Sequence, residues 1–109
     1  MKLARIGNPG KEKPIIIDKD NNYRDVSSVI KDFNSDHLNF ETLEKLNNIK
    51  PEDLPILEKN QRIGACVNKP SKFIGIGLNF KDHAIEQNMP IPKEPIIFSK
   101  FTNSVSGPN

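Results

Sequence analysis

Apolar and polar side chains alternate in part along Lys2-Leu3-Ala4-Arg5-Ile6, and Pro14-Ile15-Ile16-Ile17 forms a second β-rich run. Gly7-Asn8-Pro9-Gly10 between them supplies turn residues, so the pattern predicts a hairpin. A polar turn at Asp18-Lys19-Asp20-Asn21-Asn22 leads to a short third strand, Tyr23-Arg24-Asp25-Val26. Ser27 and Ser28 read as caps of a brief helix reaching Phe33. Phe40, Leu43 and Leu46 recur at near-helical spacing, with Glu44, Lys45 and Asn47 among them, which predicts one short helix. Pro51 and Pro55 punctuate the stretch from Ile49 to Leu57. Arg62-Ile63-Gly64-Ala65-Cys66-Val67 reads as a strand, and Asn68-Lys69-Pro70-Ser71 is the best candidate domain boundary.

Beyond that boundary the texture changes. Lys72-Phe73-Ile74-Gly75-Ile76-Gly77-Leu78 is β-rich but carries two glycines, which mark close backbone approach or sharp twist. Asn79 is placed to cap a helix, with Asp82 three residues on complementing the positive end of its dipole. That helix extends to about Asn88 and is stopped by Pro90 and Pro92, and Ile96 to Phe101 is the next strand. Ser106-Gly107-Pro108-Asn109 is a turn signal. The expected class is α+β, mainly β. Residues 1–68 would form a small antiparallel β domain, and 69–109 the beginning of a second one.

Composition narrows the partners. The 109 residues are 35% hydrophobic with a net charge of +2, the charges being shared evenly between the two halves. Mean hydropathy is −0.57, so any core is lean. Lysines are scattered and aromatic residues few, which argues against nucleic-acid binding. No apolar run approaches the roughly 20 residues of a membrane span, and Met1 to Gly10 lacks the apolar core of a secretory leader. The expectation is a soluble cytoplasmic protein without membrane partners. Cys66 is the sole cysteine, so an internal disulfide or cysteine-based zinc site is excluded; between Ala65 and Val67 it reads as a buried strand thiol.

His83 and Glu86 stand three apart on the second predicted helix, hence on one face. A carboxylate accepting from one imidazole nitrogen fixes the tautomer and raises the basicity of the other, which suits proton transfer; the same spacing also describes an ordinary solvated pair. Lys100 is a candidate for orienting a substrate carboxylate, and equally a structural or solvated lysine. Gly75 and Gly77 lack the third glycine of a dinucleotide fingerprint, Phe80 standing there, so close packing is the better account. His37, beside Asn34-Ser35-Asp36, reads as exposed, and Ser104 and Ser106 as turn residues.

The run Gly75-Ile76-Gly77-Leu78-Asn79-Phe80-Lys81-Asp82-His83-Ala84-Ile85-Glu86 is followed by Met89-Pro90-Ile91-Pro92, Glu94-Pro95-Ile96-Ile97-Phe98-Ser99-Lys100 and Ser106-Gly107-Pro108-Asn109. Together these segments closely resemble the opening of the catalytic domain of the fumarylacetoacetate hydrolase family, with its G-L-N-Y-x-D-H-A-x-E, P-x-x-P-x-x-F-x-K and G-P-N-D patterns. The start of the chain is similar to the small N-terminal domain of family members, including the D-L-S-type segment, here Asp25-Val26-Ser27. Phe80 replaces the commoner Tyr, and Phe101 follows Lys100 where many members have Pro or Ala.

The resemblance implies a metal-dependent enzyme acting on a small 2-oxo or 1,3-diketo acid: acylpyruvate-type carbon–carbon hydrolysis, or a related ureidoglycolate lyase, decarboxylase or isomerase activity. It implies that His83 and Glu86 are the catalytic dyad on a lid-like helix, and that the full-length enzyme is a homodimer using Mg²⁺, or Mn²⁺ or Ca²⁺. The family's metal ligands are an E-x-E pair and a later Asp further along the catalytic domain. None of the acidic residues here matches them, so no metal ligand is assigned within this chain, and the fragment is expected to be inactive alone. The competing reading is a non-catalytic binding or regulatory module that retains the family's N-terminal domain.

Overall fold

The computed structural model describes residues 1–108; the predicted turn position Asn109 lies outside them. Four strands form the first sheet in the order β1-β2-β3-β4, all antiparallel: β1 (Lys2–Ile6), β2 (Lys13–Ile17), β3 (Tyr23–Asp25) and β4 (Ile56–Leu57). The predicted hairpin is present in the register Lys2↔Ile17 to Ile6↔Lys13. Its turn depends on glycine: Gly7 sits at φ 121° and Gly10 at φ 76°, where a side chain would be strained. The polar turn before β3 closes around Asp18, which accepts from the backbone N–H groups of Asp20 and Asn22, from the Asn22 amide and from Arg24 Nε.

Apolar side chains cover both faces of this sheet. Leu3 and Ile16 pair across the hairpin and share one face with Val26, Ile30, Phe33 and Leu46. Ala4 and Ile15 pair on the other, against Ile6, Ile17, Tyr23, Leu57 and Ile63. Helix α1 (Phe40–Asn48) begins at Asn39, whose side chain accepts from Thr42 N, and it delivers Leu46 into the first cluster while Phe40 remains outside.

Two predicted elements are absent. The stretch from Ser27 to Phe33 is not a helix: Asp25 Oδ1 takes the Ser27 N–H at 2.8 Å, one turn closes from Ile30 N to Val26 O, and Asp32 then leaves to meet Arg5. Arg62 to Val67 is not a strand. It crosses β1 through Gly7 N to Arg62 O and Gly64 N to Arg5 O, with one bridge at Ile63, and Cys66, expected as a buried strand thiol, is exposed in this irregular segment. The two-residue β4 was not evident from the sequence either.

A polar cluster anchors this crossing. Arg5, 4% exposed, holds Asp32 through Nε–Oδ1 at 2.7 Å and Nη2–Oδ2 at 3.1 Å, and it also reaches Ala65 O and Glu12. Glu12 in turn accepts from Arg62 at 2.9 Å, and Asn68 donates to Asp32 at 2.7 Å. Burial works to raise the carboxyls of Asp32 and Glu12, but the bonds from Arg5, Asn68 and Arg62 outweigh it and hold both below their usual range.

The second unit is a two-stranded antiparallel ribbon, β5 (Phe73–Gly77) with β6 (Ile96–Lys100), connected through α2 (Lys81–Glu86). No strand or helix of this unit packs extensively on the first sheet. The molecule is consequently 51 Å long, and its radius of gyration, 17.3 Å, exceeds the ~13 Å of a compact domain of about 100 residues. The chain then returns to the first unit. Gly107 passes so close to the crossing segment that a Cβ there would lie 2.5 Å from Ile63 O and Gly64 C. Among the described residues, no helix is long and apolar enough to cross a membrane. The architecture is α+β and mainly β, as the pattern predicts.

Candidate functional site

The sequence candidates cluster around the turn from β5 into α2. Close packing explains the two glycines: Phe98 lies across Gly75, where a Cβ would fall 2.5 Å from the ring, and Ile96 crowds Gly77 at 3.3 Å. Leu78 then adopts φ 46°, a left-handed conformation costly for a branched side chain. Backbone strain of this kind concentrates at functional turns. The turn delays the helix by one residue: Phe80, not Asn79, occupies the cap position, and no side chain caps the helix. Asp82 lies in the first turn, where its charge complements the dipole.

At its far end α2 closes with Asn88 at φ 52°, Asn88 N bonding to Ile85 O and Met89 N to Ala84 O. This paired closure lets asparagine end the helix before Pro90. Ala84 is fully buried, and its small side chain lets the helix approach its surroundings closely.

His83 and Glu86 project from one face of α2, with Nδ1 and Oε2 3.7 Å apart. That separation exceeds a direct hydrogen bond; catalytic contacts in ligand-free sites are often this loose and tighten when substrate binds. Both side chains are more than half exposed. His83 borders a cleft of about 550 Å³ with apolar walls from Ile76, Phe80, Met89, Ile96 and Phe98. Glu86 and Lys100 do not line it. Lys100 instead extends its ammonium over its cross-strand partner Phe73, 5.6 Å from the ring centroid, a cation–π contact. The structure therefore unites His83 with Glu86 and leaves Lys100 apart from the cleft.

Among the described residues, no group of three His, Cys, Asp or Glu side chains is gathered as a metal ion would require. The residues present do not by themselves fit the divalent cation that the resemblance implies, and no chemical step is derived through it. His37 is half-buried rather than exposed, its Nδ1 2.7 Å from Asn34 Oδ1. Ser104 hydrogen-bonds to Phe101 O as a turn residue does.

No protein-family model matches the chain. It is similar along its whole length to longer curated proteins named "putative hydrolase". The Burkholderia multivorans, Burkholderia ambifaria and Burkholderia lata proteins are each 50% identical over 109 residues. The match takes in all of this chain and 39% of each relative, so the chain spans about two-fifths of their length.

Proposed function

We propose that residues 1–109 form the amino-terminal part of a hydrolase of the fumarylacetoacetate hydrolase type, acting on a small 2-oxo or 1,3-diketo acid. The observation that carries this reading is the placement of His83 on α2, beside Glu86 and at the rim of the apolar cleft that follows the strained Leu78 turn. The hydrolase names of the relatives support the reaction class.

In this mechanism the Glu86 carboxylate closes on one imidazole nitrogen of His83 when substrate fills the cleft. That contact sets the tautomer and leaves the other nitrogen free to take a proton from water. The apolar walls receive the carbon chain of the substrate and exclude bulk water from the reacting face.

The test uses a single chain in which residues 1–109 replace the matching segment of the Burkholderia multivorans relative. Cleavage of an acylpyruvate by this chain is expected to require a divalent cation. His83→Ala should lower kcat by roughly 10²–10⁴-fold, as for loss of a general base, while leaving circular dichroism unchanged. Equal kcat in the two proteins would overturn the assignment. The 109-residue chain alone is expected to give no turnover with Mg²⁺ or Mn²⁺.

A further inference from the structure

A cleft of about 400 Å³ lies in the first unit, where β1 begins, β2 ends and α1 finishes. Its floor is apolar. Ile16 and Leu46 are buried members of the first hydrophobic cluster, Ile49 packs against that cluster, and the half-buried Ile17 packs against the second. Lys2 and Lys19 stand on the rim. Lys2 is the cross-strand partner of Ile17, and Lys19 follows Ile17 by two residues, so the hairpin register brings both lysines to the same end of the sheet. Both are exposed, and among the described residues neither forms an ion pair. The acid beside them is already engaged. Asp18 also lines the cleft, but its carboxylate accepts from Arg24 Nε at 2.9 Å and from the backbone N–H groups of Asp20 and Asn22.

We propose that this cleft is a binding site for a small monocarboxylate with an apolar body, a short acyl or aryl acid. The carboxylate meets the rim at Lys2 and Lys19, and the carbon chain covers Ile16, Ile17, Leu46 and Ile49. Small-molecule sites are concave and mostly apolar, with a few polar groups that fix orientation, and the cleft has both the size and that composition. Two ammonium groups without acidic partners attract an anion and oppose an organic cation. The floor gains only from an apolar body. Inorganic phosphate would satisfy the rim and leave the floor wet, and a neutral chain of the same length would cover the floor and leave the lysines unmatched. The cleft shares no lining residue with the one at His83, so the inference does not rest on the proposed reaction.

The experiment titrates hexanoate into the 109-residue chain and follows backbone amide resonances. Binding is expected with a Kd of about 1 mM, the affinity that so small a ligand can reach. The amides of Lys2, Ile16, Ile17, Lys19, Leu46 and Ile49 should shift while those of residues 73–100 stay in place. Hexanamide, with the same chain and no charge, should bind at least tenfold more weakly, and inorganic phosphate should leave the cleft amides unmoved. Lys2→Met combined with Lys19→Met should weaken hexanoate binding about tenfold, with the remaining β1 and β2 resonances showing that the sheet is intact. Hexanamide binding as tightly as hexanoate would overturn the proposal, as would phosphate binding as tightly or an unchanged Kd in the double variant. So would hexanoate shifts confined to the ribbon, or none at about 10 mM.

Discussion

The guanidinium of Arg5 grips the carboxylate of Asp32 with two bonds, at 2.7 and 3.1 Å, across 27 residues of chain. The pair ties β1 to the segment that enters Phe33, because Asp32 Oδ1 also accepts the Phe33 N–H. Glu12 and Asn68 complete the surroundings, so the buried side-chain polar atoms among the described residues all have partners. Breaking such a pair from one side leaves a buried charge, the costly half of the arrangement. Asp32→Ala should destabilise the chain by about 3 kcal/mol, the low end for a broken buried pair because Glu12 still faces Arg5. Asp32→Asn keeps one acceptor and should cost about 1.5 kcal/mol. Urea unfolding followed by circular dichroism measures both, and equal stability of all three proteins would refute the role of the pair.

The acid limit of the fold follows from the carboxylates. Burial works to raise Asp18, but hydrogen bonds from the Asn22 backbone, Arg24, the Asn22 amide and the Asp20 backbone bring it from 3.8 down to about 2. Asp32 and Glu12 are displaced in the same direction. A carboxyl with a lower pKa folded than unfolded binds fewer protons in the native state, so its contribution is complete above the unfolded value and is lost as pH falls through the folded one. Thermal midpoints should be nearly flat above about pH 5 and should fall steeply from about pH 4 towards 2. Asp18→Asn should lower the midpoint at neutral pH and make the acid limb shallower.

The two units should respond differently to loss of an aromatic ring. Phe33 is 1% exposed at the centre of the first cluster, and Phe33→Ala should cost about 3–5 kcal/mol. Phe98 is 43% exposed over Gly75, and Phe98→Ala should cost only ~1 kcal/mol in this chain. A shared large loss would mean that the ribbon belongs to the cooperative unit of the sheet. Urea midpoints of the two variants, measured side by side, separate these outcomes.

Gly107 docks the end of the described chain against the Arg62–Val67 crossing with no room for a methyl group. The atoms it would strike are backbone, which cannot rotate away. Gly107→Ala should therefore lift the 102–107 segment and speed amide exchange at Ser104 and Val105, whose N–H groups bond to Phe101 O and Thr102 O. Exchange in β1 and β2 should stay as it is. Unchanged rates at Ser104 and Val105 would show that the close approach is not maintained in solution.

Much of the architecture is legible in local pattern. The first hairpin, α1, β5, α2 and β6 all fall within a few residues of where apolar spacing and turn residues put them, because each is specified by neighbours in sequence. His83 and Glu86 share a helix face for the same reason. The failures share a cause of the opposite kind. Arg62 to Val67 has strand-like composition, yet its backbone bonds go singly to β1 and it never forms a ladder. The helix expected after Ser27 yields to the Asp25 side chain and to Asp32, which is drawn to Arg5.

The sequence by itself determined the first hairpin, α1, β5, α2, β6 and the α+β class, and it placed His83 and Glu86 on one helix face, since these depend on spacing and side-chain chemistry within a few residues. Only the tertiary structure decided that Arg5 is buried among Glu12 and Asp32, that His83 borders an apolar cleft while Lys100 turns to Phe73, and that Ile74 and Ile97 of the ribbon are exposed. Each of those depends on which distant segments meet, and such meetings are set by the summed burial and hydrogen bonding of the folded chain rather than by any local run of residues.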